Sequence, residues 1–432
     1  MSSIYIFRRD LRLSDNTALI RADSNEKEVI PIFICDPYQL ENNNKSNNCV
    51  QFMVESLLDL KQQLKKNGSE LHTCYGHPWD VIETMCKNMD IKNVYINMDY
   101  TKYSKYRDNK ILNVCKKNKI ELLVSEDLLL NDVEKVKTST GKYYEKFTPF
   151  YENARKYVIR TPTKHTFKHL VKKKLPSKIS FDKLNKLYTN NPDLYIRGGR
   201  TNGLKLLNSI GSRCHKYNEN KNFPIHDTSL LSPHNKFGTI SIREEFYYMK
   251  KKLGSRNEIL RQLYWRDFYY AIVYHNVNYL DLNVGKYAKM TWKNDSTLFR
   301  KWKIGKTGIP MVDAGIEQLK RTGWIHNRVR LILASMLTKI YGIDWRYGEK
   351  FFKKHLIDYD ITQNTMNWYW VSSEVPFANP YFRILNPIVQ SEKYDDKCEY
   401  SQKWIDIKEC ENKISVDYVS NAIKRSIVKY AK

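Results

Sequence analysis

The first 130 residues alternate short β-rich runs with amphipathic stretches. Four apolar runs are predicted to form buried strands: residues 4–7, 29–34, 94–97 and 121–125. Between them, residues 50–68 have helical apolar spacing and end on a glycine. This strand–helix alternation predicts a doubly wound parallel sheet. No G-x-G-x-x-G sequence occurs, so a dinucleotide fingerprint is not supported.

The pattern changes after residue 130. It loosens over residues 131–200, where the basic, proline-marked stretch 164–178 is predicted to be a solvated linker. From residue 201 onward strand signals vanish and long helical patterns dominate. We therefore predict an α/β domain over 1–130, an interdomain linker over 131–200 and an all-α domain over 201–432. Eight of the nine tryptophans lie between residues 265 and 404, so the helical domain is where we expect chemistry.

Charge and cysteine usage narrow the function classes. Lys and Arg number 73 against 47 Asp and Glu, giving +26, which favours a polyanion partner such as nucleic acid. A lysine-rich proteome would give the same excess. The eight cysteines are scattered without metal-ligand spacing, so we expect buried thiols, a reducing compartment and no metal. No apolar stretch is long enough to span a membrane, and no secretion signal is visible, so we expect a soluble, intracellular protein. A monomer is the default expectation.

The stretch "NTMNWYW" (364–370) carries two tryptophans two positions apart. On a helix such residues lie about 200° apart and do not share a face. Trp368 and Trp370 are therefore predicted to occupy different environments. Asn364, one helical turn before Trp368, is predicted to share its face.

Two further stretches combine polar and aromatic residues on one helical face. Gln262, Trp265, Arg266 and Tyr269 fall at helical spacing, a mixture that is unusual for a core stripe. The alternative is that such a tryptophan is simply part of the core.

In residues 323–337 one helical face carries Asn327, Arg330 and Leu331 and narrows to small residues that would admit a flat ligand. An arginine facing a cavity needs a carboxylate nearby, and Asp358 is the candidate partner. The alternative is a structural salt bridge.

The stretch "TSLLSP" (228–233) is typical of a hydroxyl-rich cap that opens a helix. Such a cap suits a bound phosphate, or it caps the helix and does nothing more. No P-loop and no G-x-S-x-G motif occurs, so NTPase and hydrolase functions lack support. The residue patterns alone predict a basic, two-domain protein that binds a flat ligand and nucleic acid, and they do not reach a reaction.

Several segments occur together in a recognisable order: "FRRDLRLSDN" (7–16), "FGTISIRE" (237–244), "LYWRDFYY" (263–270), the block 302–330, "IDWRYGEKFF" (343–352) and "YFRILNP" (381–387). From residue 4 to about 405 the chain resembles the photolyase/cryptochrome family. It looks most like the class I cyclobutane pyrimidine dimer photolyases. The resemblance implies an α/β antenna domain, a helical domain that holds FAD, and UV-damaged DNA as partner, with the lesion flipped into a cavity.

The resemblance also implies roles for individual residues. The positions that match the surroundings of the FAD phosphates are Tyr217, Thr228, Ser229, Leu231 and Ser232. Arg330, Asp358 and Asp360 match contacts of the flavin ring, and Asn364 matches the side chain beside flavin N5.

On the DNA side, Trp265 and Trp370 match the indoles that clasp the flipped dimer by stacking. Asn327 and Arg328 match lesion and backbone contacts, and Lys221 replaces an arginine that contacts the phosphates. Gln262 lies at a position that faces the base edge. Trp368, Trp345 and Trp292 match an electron-transfer chain from flavin to surface. The implied activity is that of a carbon–carbon lyase: photoexcited, reduced FAD donates an electron that splits the dimer.

The chain departs from the class I pattern at two positions. Gln262 stands where these enzymes carry Glu, and Leu331 where they carry Met. Gln is usual in (6-4) photolyases, but the histidine pair of that group would fall at Asn327 and Leu331, and His326 is the only histidine close by in sequence. We therefore favour cyclobutane dimers. The alternatives are (6-4) repair and a non-repairing or DASH-type cryptochrome that senses blue light.

The antenna site departs from the family as well. Tyr103 and Ser104 replace the Asn and Glu that would hold a folate in some relatives. A folate, a deazaflavin or no second chromophore at all stay open.

Overall fold

A computed structural model describes residues 1–40, 46–281, 291–373, 384–406 and 418–422. Its sheet has five parallel strands in the order β3-β2-β1-β4-β5. The strands are β1 (Ser2–Phe7), β2 (Val29–Cys35), β3 (His72–Tyr75), β4 (Ile91–Asn97) and β5 (Glu121–Ser125). The doubly wound parallel sheet is thus confirmed. Strand β3 was missed because it has only four residues, "HTCY", at the edge of the sheet.

Helices account for most of the remaining described chain. The α-helices are α1 (Thr17–Asn25), α2 (Pro37–Leu40), α3 (Asn47–Lys66), α4 (Pro78–Asn88), α5 (Lys102–Lys117), α6 (Phe147–Ala154), α7 (Arg200–Asn208), α8 (Ile210–Arg213), α9 (Tyr217–Asn220), α10 (Ser232–Phe237), α11 (Ile242–Leu253), α12 (Ile259–His275), α13 (Ser296–Ile304), α14 (Pro310–Thr322), α15 (Asn327–Ser335), α16 (Trp345–His355), α17 (Ile361–Ser372), α18 (Pro387–Tyr394) and α19 (Glu399–Trp404). Short 3-10 turns lie at Leu184–Lys186 and Val277–Asp281, and a π-turn lies at Met336–Ile340.

Both faces of the sheet are covered, as its near-continuous apolar strands require. Successive side chains of a strand point to opposite faces. Tyr5 of β1 therefore packs with α1 and α3 residues such as Leu57, whereas Ile4 packs with α4 and α5 residues such as Ile82. Within the described residues every strand lies before residue 126, so the predicted helical character from 201 onward is confirmed.

The prediction of a solvated linker over 164–178 is wrong. The amide of Val29 donates to the carbonyl of His169 at 2.8 Å, and the amide of Val171 donates back to Val29 at 2.9 Å. Leu170 and Leu175 are buried against the sheet. The lysines of this stretch hid the packing, because their long side chains reach solvent while the backbone and the leucines follow the sheet.

A buried charge cluster joins the α/β half to α11 of the helical half. Arg243 donates to the carboxylates of Asp15 and Asp127, both at 2.7 Å, and Arg12 donates to Asp127 at 2.6 Å. All four side chains are almost fully buried. Burial alone would raise the pKa of Asp127, but the charges of Arg12 and Arg243 outweigh it and hold that pKa well below its usual range.

We predict that Arg243→Leu lowers the free energy of unfolding by about 3–5 kcal/mol, because Asp15 and Asp127 both lose a buried cation and keep only Arg12 and the exposed Arg160 as partners. Urea denaturation at neutral pH measures this change. The control is Arg256→Leu at an exposed position beyond α11, which should shift the unfolding free energy by less than about 0.5 kcal/mol. Equal stability of the two variants would refute the role of the cluster.

Candidate functional site

Helix α17 carries the stretch that contains both tryptophans, and the predicted difference between them is confirmed. Its N-cap is Asp360, whose side chain accepts from the amide of Gln363 at 3.1 Å. Trp368 is 2 % exposed, whereas Trp370 is only half-buried. The two indoles therefore face the interior and a more open side of the same helix.

Asn364 and Trp368 share the face of α17 that packs on α16, as predicted. Nδ2 of Asn364 donates to Oε1 of Glu349 at 3.1 Å, and the hydroxyl of Tyr359 donates to the same oxygen at 2.8 Å. Trp368 lies over Gly348, where a Cβ would collide with the indole. Burial raises the pKa of Glu349, against the lowering effect of its two donors. The sequence reasoning missed Glu349, although it lies one helical turn after Trp345.

The other two residues of the predicted relay lie in the helical half. Trp345 begins α16 and is fully buried, with its ring centroid 4.6 Å from that of Tyr369. Trp292 is half-buried and packs against the helical core. The three indoles thus range from interior to partly exposed.

The predicted pairing of Arg330 with Asp358 is confirmed. The guanidinium donates twice, from Nη1 to Oδ1 at 3.2 Å and from Nη2 to Oδ2 at 2.8 Å. Its Nε donates to the carbonyl of Ile325 at 3.1 Å. A guanidinium fixed on one edge this way keeps a defined orientation.

Asp360 is held by a residue from the other end of the chain. Arg9 and the hydroxyl of Tyr270 both donate to its Oδ2. Burial raises the pKa of Asp360, but the charges of Arg9 and Lys236 outweigh burial, so its pKa falls to about 2. Sequence reasoning missed Arg9. It lies in the "FRRD" segment, which contributed to the family resemblance but was given no role in the site.

The loop over 228–232 turns sharply before α10. Leu230 has a positive φ of 56°, and Oγ of Ser229 accepts from the amide of Leu231 at 3.4 Å. The prediction that a hydroxyl side chain caps α10 is wrong. Leu231 occupies the N-cap and makes no side-chain hydrogen bond there. Thr228 and Ser229 are half-buried, Ser232 is exposed, and Tyr217 begins α9.

The residues predicted to contact DNA lie nearer the surface. Gln262 is exposed, and its Nε2 donates to the carbonyl of Glu258 at 3.4 Å. Trp265 is half-buried and stacks on Phe147 with ring centroids 3.6 Å apart and an interplanar angle of 8°. Gln262 and Trp265 were predicted to share a helical face with Tyr269. Tyr269 is buried, so this face of α12 leads from the surface into the core.

Three polar residues complete that set. Lys221 forms an ion pair with Glu258. Asn327 is exposed at the start of α15, and Nη2 of Arg328 donates to Oδ1 of Asn222 at 2.5 Å. Lys221 and Arg328 are half-buried and Asn327 is exposed, so none of the three lies in the core.

His326 is buried at the N-cap of α15, where Nδ1 accepts from the amide of Arg328 at 3.1 Å. Burial, together with the charges of Arg328 and Arg330, lowers its pKa to about 3. A second histidine, the exposed His226, lies near enough for its charge to contribute to this shift. His226 is thus a neighbour of His326 that its position in the sequence does not reveal.

The two residues noted for the antenna region are engaged within the protein. Tyr103 stacks on Tyr38, with centroids 4.2 Å apart, and donates to Asp36. Oγ of Ser104 donates to Asp99 at 2.7 Å. Both side chains therefore already have hydrogen-bond partners within the protein.

Helix α17 packs against α12, α15 and α16, which brings together the predicted residues that these four helices carry. The donor set suits FAD: half-buried hydroxyls at Thr228 and Ser229 suit phosphate oxygens, and the oriented guanidinium of Arg330 and the amide of Asn364 suit the polar edge of a flat ring. Half-buried aromatic side chains on α12 and α17 can cover apolar ring faces.

Other classes of site find little support. Among the described residues no group of His, Cys, Asp or Glu could hold a metal ion. No helix in the described part of the chain is long and apolar enough to cross a membrane. The seven described cysteines are free thiols, and four of them are buried.

Two family models match the chain. One, described as DNA photolyase, covers residues 3–169, and the other, described as the FAD binding domain of DNA photolyase, covers residues 259–427. Among similar proteins, the deoxyribodipyrimidine photo-lyase of Alkalihalophilus pseudofirmus is 33 % identical over 92 % of this chain and 86 % of its own length. That of Buchnera aphidicola (subspecies Baizongia pistaciae) is 32 % identical over 92 % and 87 %.

Solved structures agree with the sequence relatives. An archaeal photolyase from Sulfolobus tokodaii, solved with two FAD molecules, has a TM-score of 0.87 and 34 % identity and covers 99 % of this chain and 100 % of its own. A class III photolyase from Agrobacterium tumefaciens has a TM-score of 0.88 and 28 % identity, with 100 % and 97 % covered. The chain belongs to the photolyase/cryptochrome family and carries the FAD-binding domain of DNA photolyases.

Proposed function

We propose that the protein repairs cyclobutane pyrimidine dimers in UV-damaged DNA in a light-dependent reaction. When bound, FAD supplies the light absorption and the electron that splits the dimer. The relatives are named deoxyribodipyrimidine photo-lyases, which supports photolyase-type repair, and a model of the FAD binding domain of DNA photolyase matches the chain. The protein's own part is to bind and orient cofactor and lesion.

The observation that carries the proposal is that α17 places its two tryptophans on different sides. Asn364 and Trp368 lie on its α16-facing side, while Trp370 is half-buried on another side. One helix can therefore present an amide and a redox-active indole to a flavin and a stacking surface to a flipped base. Arg330, fixed by Asp358, adds an oriented donor on neighbouring α15.

The state of His326 favours cyclobutane dimers over (6-4) lesions. General acid catalysis needs a group that holds a proton near working pH. His326 is buried, its pKa is lowered to about 3, and its Nδ1 already accepts a backbone hydrogen bond. Gln262 can hydrogen-bond a base edge but cannot act as an acid.

The direct test is blue-light treatment of oligonucleotides with the reduced protein. One carries a single cyclobutane dimer and a second carries a single (6-4) photoproduct, each with a dark control. We expect light-dependent loss of the dimer alone. Loss of the (6-4) lesion alone would overturn the lesion assignment, and loss of neither would favour a blue-light sensor.

We predict that Trp370→Ala weakens binding of dimer-containing DNA by about 1–3 kcal/mol, because a stacking surface is lost. Binding to undamaged DNA should stay the same, since phosphate contacts dominate it. Fluorescence anisotropy with both oligonucleotides measures the two affinities. Trp79→Ala removes a half-buried indole from the α/β half and serves as control. A similar loss in both variants would argue against a stacking role for Trp370.

We predict that Trp292→Phe slows photoreduction of oxidised FAD in the presence of a thiol, because phenylalanine is far harder to oxidise than tryptophan. Repair by protein that was reduced chemically beforehand should be unaffected. Absorbance under blue light follows the first reaction and dimer loss the second. Trp404→Phe changes another half-buried indole of the helical half and should leave both unchanged. Slower repair with intact photoreduction would contradict the assignment.

A further inference from the structure

The surroundings of Trp345 do not stabilise this indole once it has lost an electron. Its side chain is fully buried, and its Nε1 has no hydrogen-bond acceptor among the described residues. The guanidinium of Arg346 lies 5.5 Å from the ring centre. That guanidinium is paired with Asp344 at 2.7 Å, so it adds little net charge beside the ring. An oxidised indole in these surroundings cannot hand its proton to a neighbouring base and therefore stays a strong oxidant.

A tyrosine touches Trp345 from the neighbouring helix. The ring centroid of Tyr369 is 4.6 Å from that of Trp345, at an interplanar angle of 51°. Tyr369 is itself fully buried, between Trp368 and Trp370 in sequence. At 4.6 Å the two ring systems are in van der Waals contact, which gives direct electronic coupling.

A second tyrosine continues this line toward the surface. The ring centroid of Tyr279 lies 6.3 Å from that of Tyr369. Tyr279 is 8 % exposed, in the 3-10 turn Val277–Asp281. Burial raises the pKa of Tyr279, and Tyr143 and Glu145 add to this rise.

We propose that Tyr369 and Tyr279 form a second exit from the electron relay, branching from Trp345 and ending on Tyr279. This inference rests on the proposed function, because it needs Trp368 and Trp345 to supply electrons to the photoexcited cofactor. Trp292 would then be one of two ends of the chain.

Atoms and electrons balance along the branch. One electron passes from Trp368 to the photoexcited oxidised cofactor, and one passes from Trp345 to Trp368. Trp345 then regains its electron from Tyr279 through the ring of Tyr369. Tyr279 loses one electron and its phenol proton, and the proton goes to water. A thiol in solution donates one electron and one proton to restore the phenol.

The proton release makes the last step favourable. A buried tryptophan that keeps its proton stays strongly oxidising, whereas a tyrosine that gives its proton to water is held as a neutral radical. Tyr279 is 8 % exposed, whereas Tyr369 is 0 % exposed, so Tyr279 is the one of the two that lies nearer to solvent. The vacancy therefore ends on Tyr279.

The test is rapid-freeze EPR and transient absorption of FAD-loaded protein after a blue-light flash, without DNA. Trp292→Phe closes the tryptophan exit, and ring-deuterated tyrosine identifies a tyrosyl signal by its narrowed EPR line. We expect a tyrosyl radical in Trp292→Phe. Adding Tyr279→Phe should remove it, and Tyr369→Leu should slow its formation.

The matched control is Tyr264→Phe, a buried tyrosine of α12 whose ring partners are Tyr151 and Phe246. It should leave the tyrosyl signal unchanged. A signal that survives Tyr279→Phe, or no tyrosyl signal in Trp292→Phe, would overturn the branch.

Trp345→Phe distinguishes a failure of the proposed relay from a failure of the tyrosine branch alone. If it leaves flash-induced radical formation beyond Trp368 unchanged, the proposed relay itself fails. If it removes that signal while Trp292→Phe gives no tyrosyl radical, the relay stands and only the branch is wrong.

Discussion

The structure depends on charge compensation in the buried boundary between the α/β half and the helical half. Arg9 reaches Asp360 at the N-terminus of α17, and Arg243 of α11 reaches Asp15 and Asp127. Isolated charges could not be buried at this boundary, whereas pairs with several hydrogen bonds each can. The start of α17, and so every side chain along it, is fixed by a residue about 350 positions earlier.

From that fixed start, helical geometry does the rest. The 3.6-residue repeat turns Asn364 and Trp368 toward α16 and leaves Trp370 on another side. Gly348 permits the approach, because any larger residue would collide with the indole of Trp368. A single glycine on α16 therefore sets how deeply this tryptophan can be buried, and burial is what protects an oxidised indole from water.

The sequence predicts what local patterns control. Four of the five strands, the helical state of 364–370 and the pairing of Arg330 with Asp358 follow from periodicity and from the cost of a buried charge. Four-residue β3 carries too short a pattern to detect. Arg9 and Glu349 act through long-range contacts, which no local pattern contains. The lysines of 164–178 indicated solvent, although Leu170 and Leu175 there are buried.

The family resemblance supplied what neither pattern nor charge could, namely which flat ligand and which reaction. Its residue roles still depend on local chemistry, as His326 illustrates: a histidine beside the site looks like an acid in sequence, yet burial keeps it neutral.

The buried pairs also change how the net charge of +26 should be understood. Asp15, Asp127 and Asp360 are neutralised inside the protein by arginines. Pairs of this kind contribute nothing to the outside field, so the excess of positive charge is carried by groups that reach solvent, most of them lysines. A lysine-rich proteome explains why the residue is abundant. Because each buried pair removes one positive and one negative charge together, the net excess stays with the remaining groups, and a net positive charge suits the phosphates of DNA.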